Sequence, residues 1–141
     1  MRLVVDASVA VKWFVEEEYS ADAGQLLEQG HELYALRLLA SEVGNALWRK
    51  VRMGELERSR AGTLASAIAE VAVRWTQDEE VCSDAVRLAL TLDRPVYDCV
   101  YLALAHRLGA KLVTADVRFA NALAGTEHGG AVVTLSTRAA E

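Results

Sequence analysis

Cysteine, proline and aromatic side chains are all scarce in this chain. Its 2 cysteines, Cys82 and Cys99, are too few and too unpatterned for a disulfide framework or a zinc site. A single proline, with no Pro-, Gly- or Ser-rich stretch, leaves no linker, repeat or low-complexity block. No apolar run reaches membrane-spanning length, and the start MRLVVDAS lacks the hydrophobic stretch of a signal peptide. Basic charge is in deficit too, with 15 Lys and Arg against 20 Asp and Glu, a formal charge of −5. That deficit argues against a protein that coats nucleic acid by bulk attraction. It does not exclude an enzyme that guides a phosphate chain over a local basic surface. The expectation is a cytoplasmic protein with no membrane association.

What is present points to one domain. The 141 residues are 52% hydrophobic and 25% charged, enough for a substantial core. Residues 1–135 read as a single unit and Ser136–Glu141 as a loose tail. Leu3-Val4-Val5 is a short apolar run of the kind buried on both faces of a sheet. A helix follows over Ala7–Phe14, a second carries Tyr19, Ala23, Leu26 and Leu27 up to Gly30, and Glu32–Leu36 reads as a strand. A long helix over Leu38–Met53 stops at Gly54. An alanine-rich one covers Glu57–Glu70, and Val71–Trp75 is a candidate strand. Thr76 and Glu79 have capping-box spacing for a helix that runs to Leu92 and is broken by Asp93-Arg94-Pro95. Tyr97, Val100, Tyr101, Leu104, Ala105 and Leu108 then mark an amphipathic helix. Lys111–Ala115 reads as a buried strand, Phe119–Leu123 as a short helix and Ala131–Leu135 as a last strand. Strands separated by helices predict an α/β fold, with a central parallel sheet covered on both faces.

Four acids, Asp6, Glu42, Asp98 and Asp116, are far apart in the chain, yet each falls where this pattern ends at one edge. Asp6 and Asp116 directly follow buried strands. Asp98 opens the helix that leads antiparallel into the Lys111–Ala115 strand, and Glu42 lies about one turn into the helix after Glu32–Leu36. Ligands of open parallel sheets bind beyond the carboxyl ends of the strands. Taken singly, each acid has a plainer reading: a helix cap, a first-turn acid, a solvated helix face or an ordinary turn. Jointly they predict a cluster. At ~5 Å and an effective dielectric of about 20, each carboxylate pair repels by roughly 3 kcal/mol, so such a cluster implies a bound cation, a raised pKa, or both.

An all-oxygen donor set suits Mg²⁺ or Mn²⁺ rather than zinc. A cation so placed polarises a phosphodiester and generates a hydroxide nucleophile near neutral pH. Ser8 and Thr114 stand two residues from an Asp, where a hydroxyl would orient a carboxylate, or cap a helix and pack a strand instead. Asn45 lies one turn after Glu42. The acidic runs Glu16–Glu18 and Asp78–Glu80 read as solvated charge. His31, His106 and His128 have no metal-ligand or relay spacing and read as surface or loop residues.

Taken together, VVDASVAVKWF, SEVGNAL, YDCVYLALA and VTADVRF resemble the PIN domain, and more narrowly the VapC-type toxins of bacterial and archaeal toxin–antitoxin pairs. The resemblance spans Leu3 to about Leu135. It implies a three-layer α/β/α fold and a Mg²⁺- or Mn²⁺-dependent endoribonuclease, with Asp6, Glu42, Asp98 and Asp116 at the metal-site positions. Ser8, Thr114 and Asn45 match supporting polar positions. Water attack on an RNA phosphodiester, leaving a 5′-phosphate and a 3′-hydroxyl, is the implied reaction. Lys12, Arg49, Lys50, Arg52 and Arg118 are candidate RNA guides, with solubilising charge as the plainer reading. A small VapB-like antitoxin and a homodimer are the implied partners, with Trp13, Phe14, Trp48 and Tyr101 as candidate anchors or core residues. The chain departs from the family in two places. Leu36-Arg37-Leu38-Leu39 lacks the proline many relatives carry before the Glu helix, and Arg118 stands where some have another acid.

Competing readings are a PIN nuclease of RNA maturation without an antitoxin, a Mg²⁺-dependent phosphatase, a receiver-type signalling module and a silent RNA binder. A dehalogenase-type phosphatase requires a second Asp two residues after Asp6, where this chain has Ser8. A receiver requires a late strand-end lysine that is not evident.

Overall fold

A computed structural model describes residues 1–135, and the tail proposed at Ser136–Glu141 lies outside them. Strands β1 (Arg2–Val5), β2 (Glu32–Leu36), β3 (Arg74–Thr76), β4 (Lys111–Thr114) and β5 (Val132–Thr134) form one sheet of order β3-β2-β1-β4-β5. Every pairing is parallel, with Val4 beside Tyr34 and Val5 beside Val113. Leu3, Val4 and Val5 point alternately to opposite faces, and all are buried, so both faces of the sheet's centre are covered.

The helices are α1 (Ala7–Ala10), α2 (Ser20–Glu28), α3 (Leu38–Arg52), α4 (Arg58–Ala67), α5 (Glu79–Leu92), α6 (Val96–Leu108) and α7 (Val117–Leu123). Helix α6 packs on β1, β4 and β2, and α5 lies along α6; α1 meets α3, which in turn carries α4. From β1 the chain builds outward through β2 to β3, then returns to lay β4 and β5 on the other side of β1. The strand order therefore reverses at β1 and β4, the place where parallel sheets open a crevice.

Three local expectations change. Thr76 is the last residue of β3, not a helix cap. The residue before α5 is Asp78, and its Oδ1 accepts a hydrogen bond from the Leu38 backbone N at 3.1 Å. A carboxylate read as solvated thus caps the start of α3, where Arg37 offers no side-chain cap. Helix α6 is not simply amphipathic: Cys99 to Ala105 are buried without a break, because the sheet covers one side and α5 lies along another. His106 Nε2 and His128 Nδ1 share a hydrogen bond of 2.9 Å, tying α6 to the segment before β5. Gly54 and Gly109 both end helices at positive φ, 74° and 61°, a conformation a β-carbon disfavours.

Candidate active site

Asp6 leaves β1 in extended conformation and caps α1, its side chain accepting from Val9 N. Ser8 Oγ donates to Asp6 Oδ1 at 2.5 Å, and Thr114 Oγ1 donates to Asp6 Oδ2. Ser8 Oγ in turn accepts from Ala115 N at 2.8 Å, and Thr114 Oγ1 accepts from Asp116 N at 3.0 Å. The two hydroxyls therefore lock the end of β1 to the end of β4 and fix both oxygens of one carboxylate. Asp116 caps α7 through Phe119 N at 3.1 Å. Asp98 lies in the first turn of α6, and Glu42 lies in α3, where its carboxylate accepts a short hydrogen bond from the Tyr101 hydroxyl.

Asp6, Glu42, Asp98 and Asp116 line one cavity of about 150 Å³, together with Ala7, Ser8, Tyr97, Tyr101, Leu112 and Phe119. The acids come from the β1–α1 turn, α3, α6 and the β4–α7 turn. Among the described residues no cysteine or histidine shares that wall, so its donors are oxygens. A larger hollow, about 420 Å³, opens beside His106 and His128, but it holds only two acids, of which Asp84 pairs with Arg87 at 2.9 Å. Size favours that hollow; chemistry favours the smaller one.

The electrostatics reflect the crowding. Burial pushes the Asp6 carboxyl above its ordinary value, with the charge of Asp116 adding to it; the Ser8, Thr114 and Val9 donors oppose it. Burial likewise raises Glu42, against the Tyr101 hydrogen bond and with help from Asp6, Asp78 and Asp98. The buried Tyr101 phenol, facing those carboxylates, stays protonated and serves as a donor. Among the described residues no three His, Cys, Asp or Glu side chains are grouped so as to hold a metal ion. The donor chemistry nevertheless fits a hard divalent cation, since four carboxylates face one cavity with no basic side chain lining it among the described residues.

The other sequence candidates separate into groups. Asn45 and Arg49 line an adjoining cavity of about 400 Å³ that shares Glu42, Ser8 and Ala7 with the acidic one. Lys12 and Lys50 face elsewhere: both bind Glu17, at 3.0 and 2.9 Å, and Lys12's side chain is only 9% exposed. Glu17, read as solvated, is thus a partly buried clamp. Arg118 is exposed, and Arg52 lies over the Trp48 ring at 5.2 Å. Trp13 donates its indole N–H to Ala23 O at 2.8 Å, Phe14 packs on the core, Tyr101 is buried and Trp48 is exposed. Sequence reasoning missed Tyr101 as a partner of Glu42, and missed Tyr97 and Arg94. Arg94 precedes Asp98 by four residues, a helical spacing that was available as a signal.

The PIN domain family model matches residues 3–123. Ribonuclease VapC3 of Pyrobaculum aerophilum is 40% identical over 122 residues, covering 85% of this chain and 93% of that protein. A crystal structure from the same organism superposes with a TM-score of 0.73 at 24% identity, over 100% of this chain and 91% of the other. A toxin-antitoxin complex from Klebsiella pneumoniae contains a chain with a TM-score of 0.62 at 18% identity, over 94% and 97%. The stretch matched by the family model contains Asp6, Glu42, Asp98 and Asp116. The chain belongs to the PIN domain family, in its VapC-like branch.

Proposed function

We propose that this chain is a Mg²⁺- or Mn²⁺-dependent endoribonuclease and the toxin half of a VapBC-type pair. One observation carries the reading: in a PIN domain 40% identical to a ribonuclease, four carboxylates from four elements line one cavity at the carboxyl ends of β1 and β4. Asp6, Asp98 and Asp116, with Glu42, are the residues that would hold the cation. Bound there, it would supply a water of lowered pKa and counter the negative charge of the phosphoryl group.

The rest is the work of the chain's own residues. Ser8 and Thr114 hold Asp6 by both oxygens, so this carboxylate keeps its orientation while the others adjust. Tyr101 holds Glu42 within the α6–α3 wall and neutralises part of its charge by donating a proton to the hydrogen bond. Asn45 and Arg49, along the adjoining cavity, offer a path for the RNA strand next to Glu42. In-line attack by water would break the bond to the 3′ oxygen and leave a 5′-phosphate and a 3′-hydroxyl. The likeness to a toxin-antitoxin complex supports a small antitoxin as protein partner.

The test is cleavage of a varied RNA panel with Mg²⁺ or Mn²⁺, with chelator and Asp98→Asn as controls. Expected are metal-dependent 5′-phosphate products, abolished by chelator and by the substitution. Cleavage that survives both overturns the metal reading. Copurification with a small co-expressed protein supports the toxin assignment, and a free chain harmless to growth counts against it.

A further inference from the structure

Tyr97 stands beside Asp98 at the start of α6 and lines the acidic cavity, yet 70% of its surface is open. The residues that follow it, Cys99 to Ala105, are buried. Arg94, in the turn before α6, lies with its guanidinium 5.5 Å from the centre of the buried Phe119 ring. Its Nη1 is 3.9 Å from Asp98 Oδ2, an electrostatic contact too long for a hydrogen bond. Phe119 and Asp98 both line the cavity. The cation is therefore held next to the carboxylates by stacking, with its donors not bound to Asp98.

A flat exposed ring and a pre-positioned guanidinium at one rim match the two needs of a single-stranded nucleotide, a surface for the base and a charge for the phosphate. The need is acute here, because four carboxylates repel the phosphate that has to approach them. A protein contact would favour an apolar border around the ring, whereas the cavity the ring lines carries four carboxylates. We infer that Tyr97 and Arg94 form a landing platform for single-stranded RNA, the ring stacking on one base and the guanidinium binding an adjoining phosphate. This inference rests on the ribonuclease reading and deepens it by naming what seats the substrate.

The experiment follows steady-state cleavage of a mixed-sequence, unstructured RNA oligonucleotide with Mg²⁺ for the full chain and for Tyr97→Ala, Tyr97→Phe, Arg94→Ala and Arg94→Lys. Circular dichroism first establishes that each variant is folded. Tyr97→Ala is expected to raise KM by about 5- to 150-fold with kcat little changed, the signature of binding made equally in ground and transition states. Tyr97→Phe keeps the ring and is expected to keep the KM. Arg94→Ala is expected to reduce the salt dependence of kcat/KM by about 0.7 in log–log slope, the value for one phosphate of a single strand, and Arg94→Lys to retain it. An unchanged KM for Tyr97→Ala or an unchanged slope for Arg94→Ala, in a wild type that cleaves, overturns the platform alone. A fall in kcat without a change in KM overturns it too, and so does loss of self-association with KM intact, which would assign the ring to a protein contact. A wild type that cleaves no RNA overturns the ribonuclease reading and the platform with it.

Discussion

Glu17 and Asp6 are both partly buried carboxylates, and the fold treats them in opposite ways. Burial would raise Glu17, but hydrogen bonds and charge from Lys50 and Lys12 outweigh it and hold that carboxyl below its ordinary value. Asp6 meets hydroxyls and a backbone N–H instead of cations, and the carboxylate of Asp116 adds to its burden, so it is pushed up. Glu17 ties the turn after α1 to the last turn of α3, which is a structural task completed by the chain itself. Asp6 belongs to a group of four carboxylates of which only Asp98 has a basic side chain close by among the described residues, Arg94 at 3.9 Å. A carboxylate provided with its own cations stabilises the fold, whereas a cluster short of them is where perturbed, functional groups concentrate.

The contrast is sharpest in catalysis. Asp98→Asn is expected to lower the RNA cleavage rate by at least about 100-fold, whereas Glu17→Gln should leave the rate per folded molecule unchanged. Equal losses in the two variants would erase the distinction. Addition of Mg²⁺ or Mn²⁺ to chelator-treated protein is expected to raise Tm. At 100 times the Kd the stabilisation is about 2.7 kcal/mol, a shift of several degrees for a domain of this size. In Asp6→Asn that shift should shrink while Glu17→Gln retains it; differential scanning calorimetry reads both.

Stability separates the two regions in the other direction. Glu17→Gln leaves the charge of Lys12 without its counter-ion in a nearly closed environment and is expected to cost about 1–2 kcal/mol, seen as a lower urea midpoint with an unchanged m value. Glu42→Gln keeps an acceptor for Tyr101 and removes a charge, so without metal it should be neutral or slightly stabilising.

The smallest expected effect is on pH dependence, and its sign differs between the regions. A group with a raised folded pKa binds its proton more tightly in the fold, so its contribution is full below the unfolded pKa and is lost as pH rises through the folded one. Asp6 and Glu42, with ordinary values of 3.8 and 4.5, should therefore make the metal-free protein less stable as pH climbs above that range. Glu17 has the opposite sign: its contribution is full above 4.5 and is lost as pH falls through its depressed folded value. Urea midpoints in chelator should show the neutral-side loss flattened in Asp6→Asn and the acid-side loss flattened in Glu17→Gln.

The same two carboxylates show how far reading along the chain reaches. Asp6 is legible because it follows Leu3-Val4-Val5, a run whose burial sets a strand end, and Asp116 is legible for the same reason after β4. Glu17 sits in an acidic run with no periodic context, and nothing local shows that Lys50 will reach it. Asp78 is hidden in the same way, since its partner Leu38 N lies 40 positions away. Tyr101 was legible as a core residue, but its hydroxyl finds Glu42 across 59 positions.

Alternation of apolar runs, and the acids that end them, determined from sequence alone that this is a parallel α/β domain with carboxylates at one edge. Those features are local, because strand and helix periodicity act within a few residues. Only the tertiary structure decided which carboxylates receive lysines, which receive hydroxyls, and which are left facing one another. That choice depends on how α3 and α6 settle against the sheet, since a hydrogen bond or ion pair forms only when packing brings its two ends within about 3 Å.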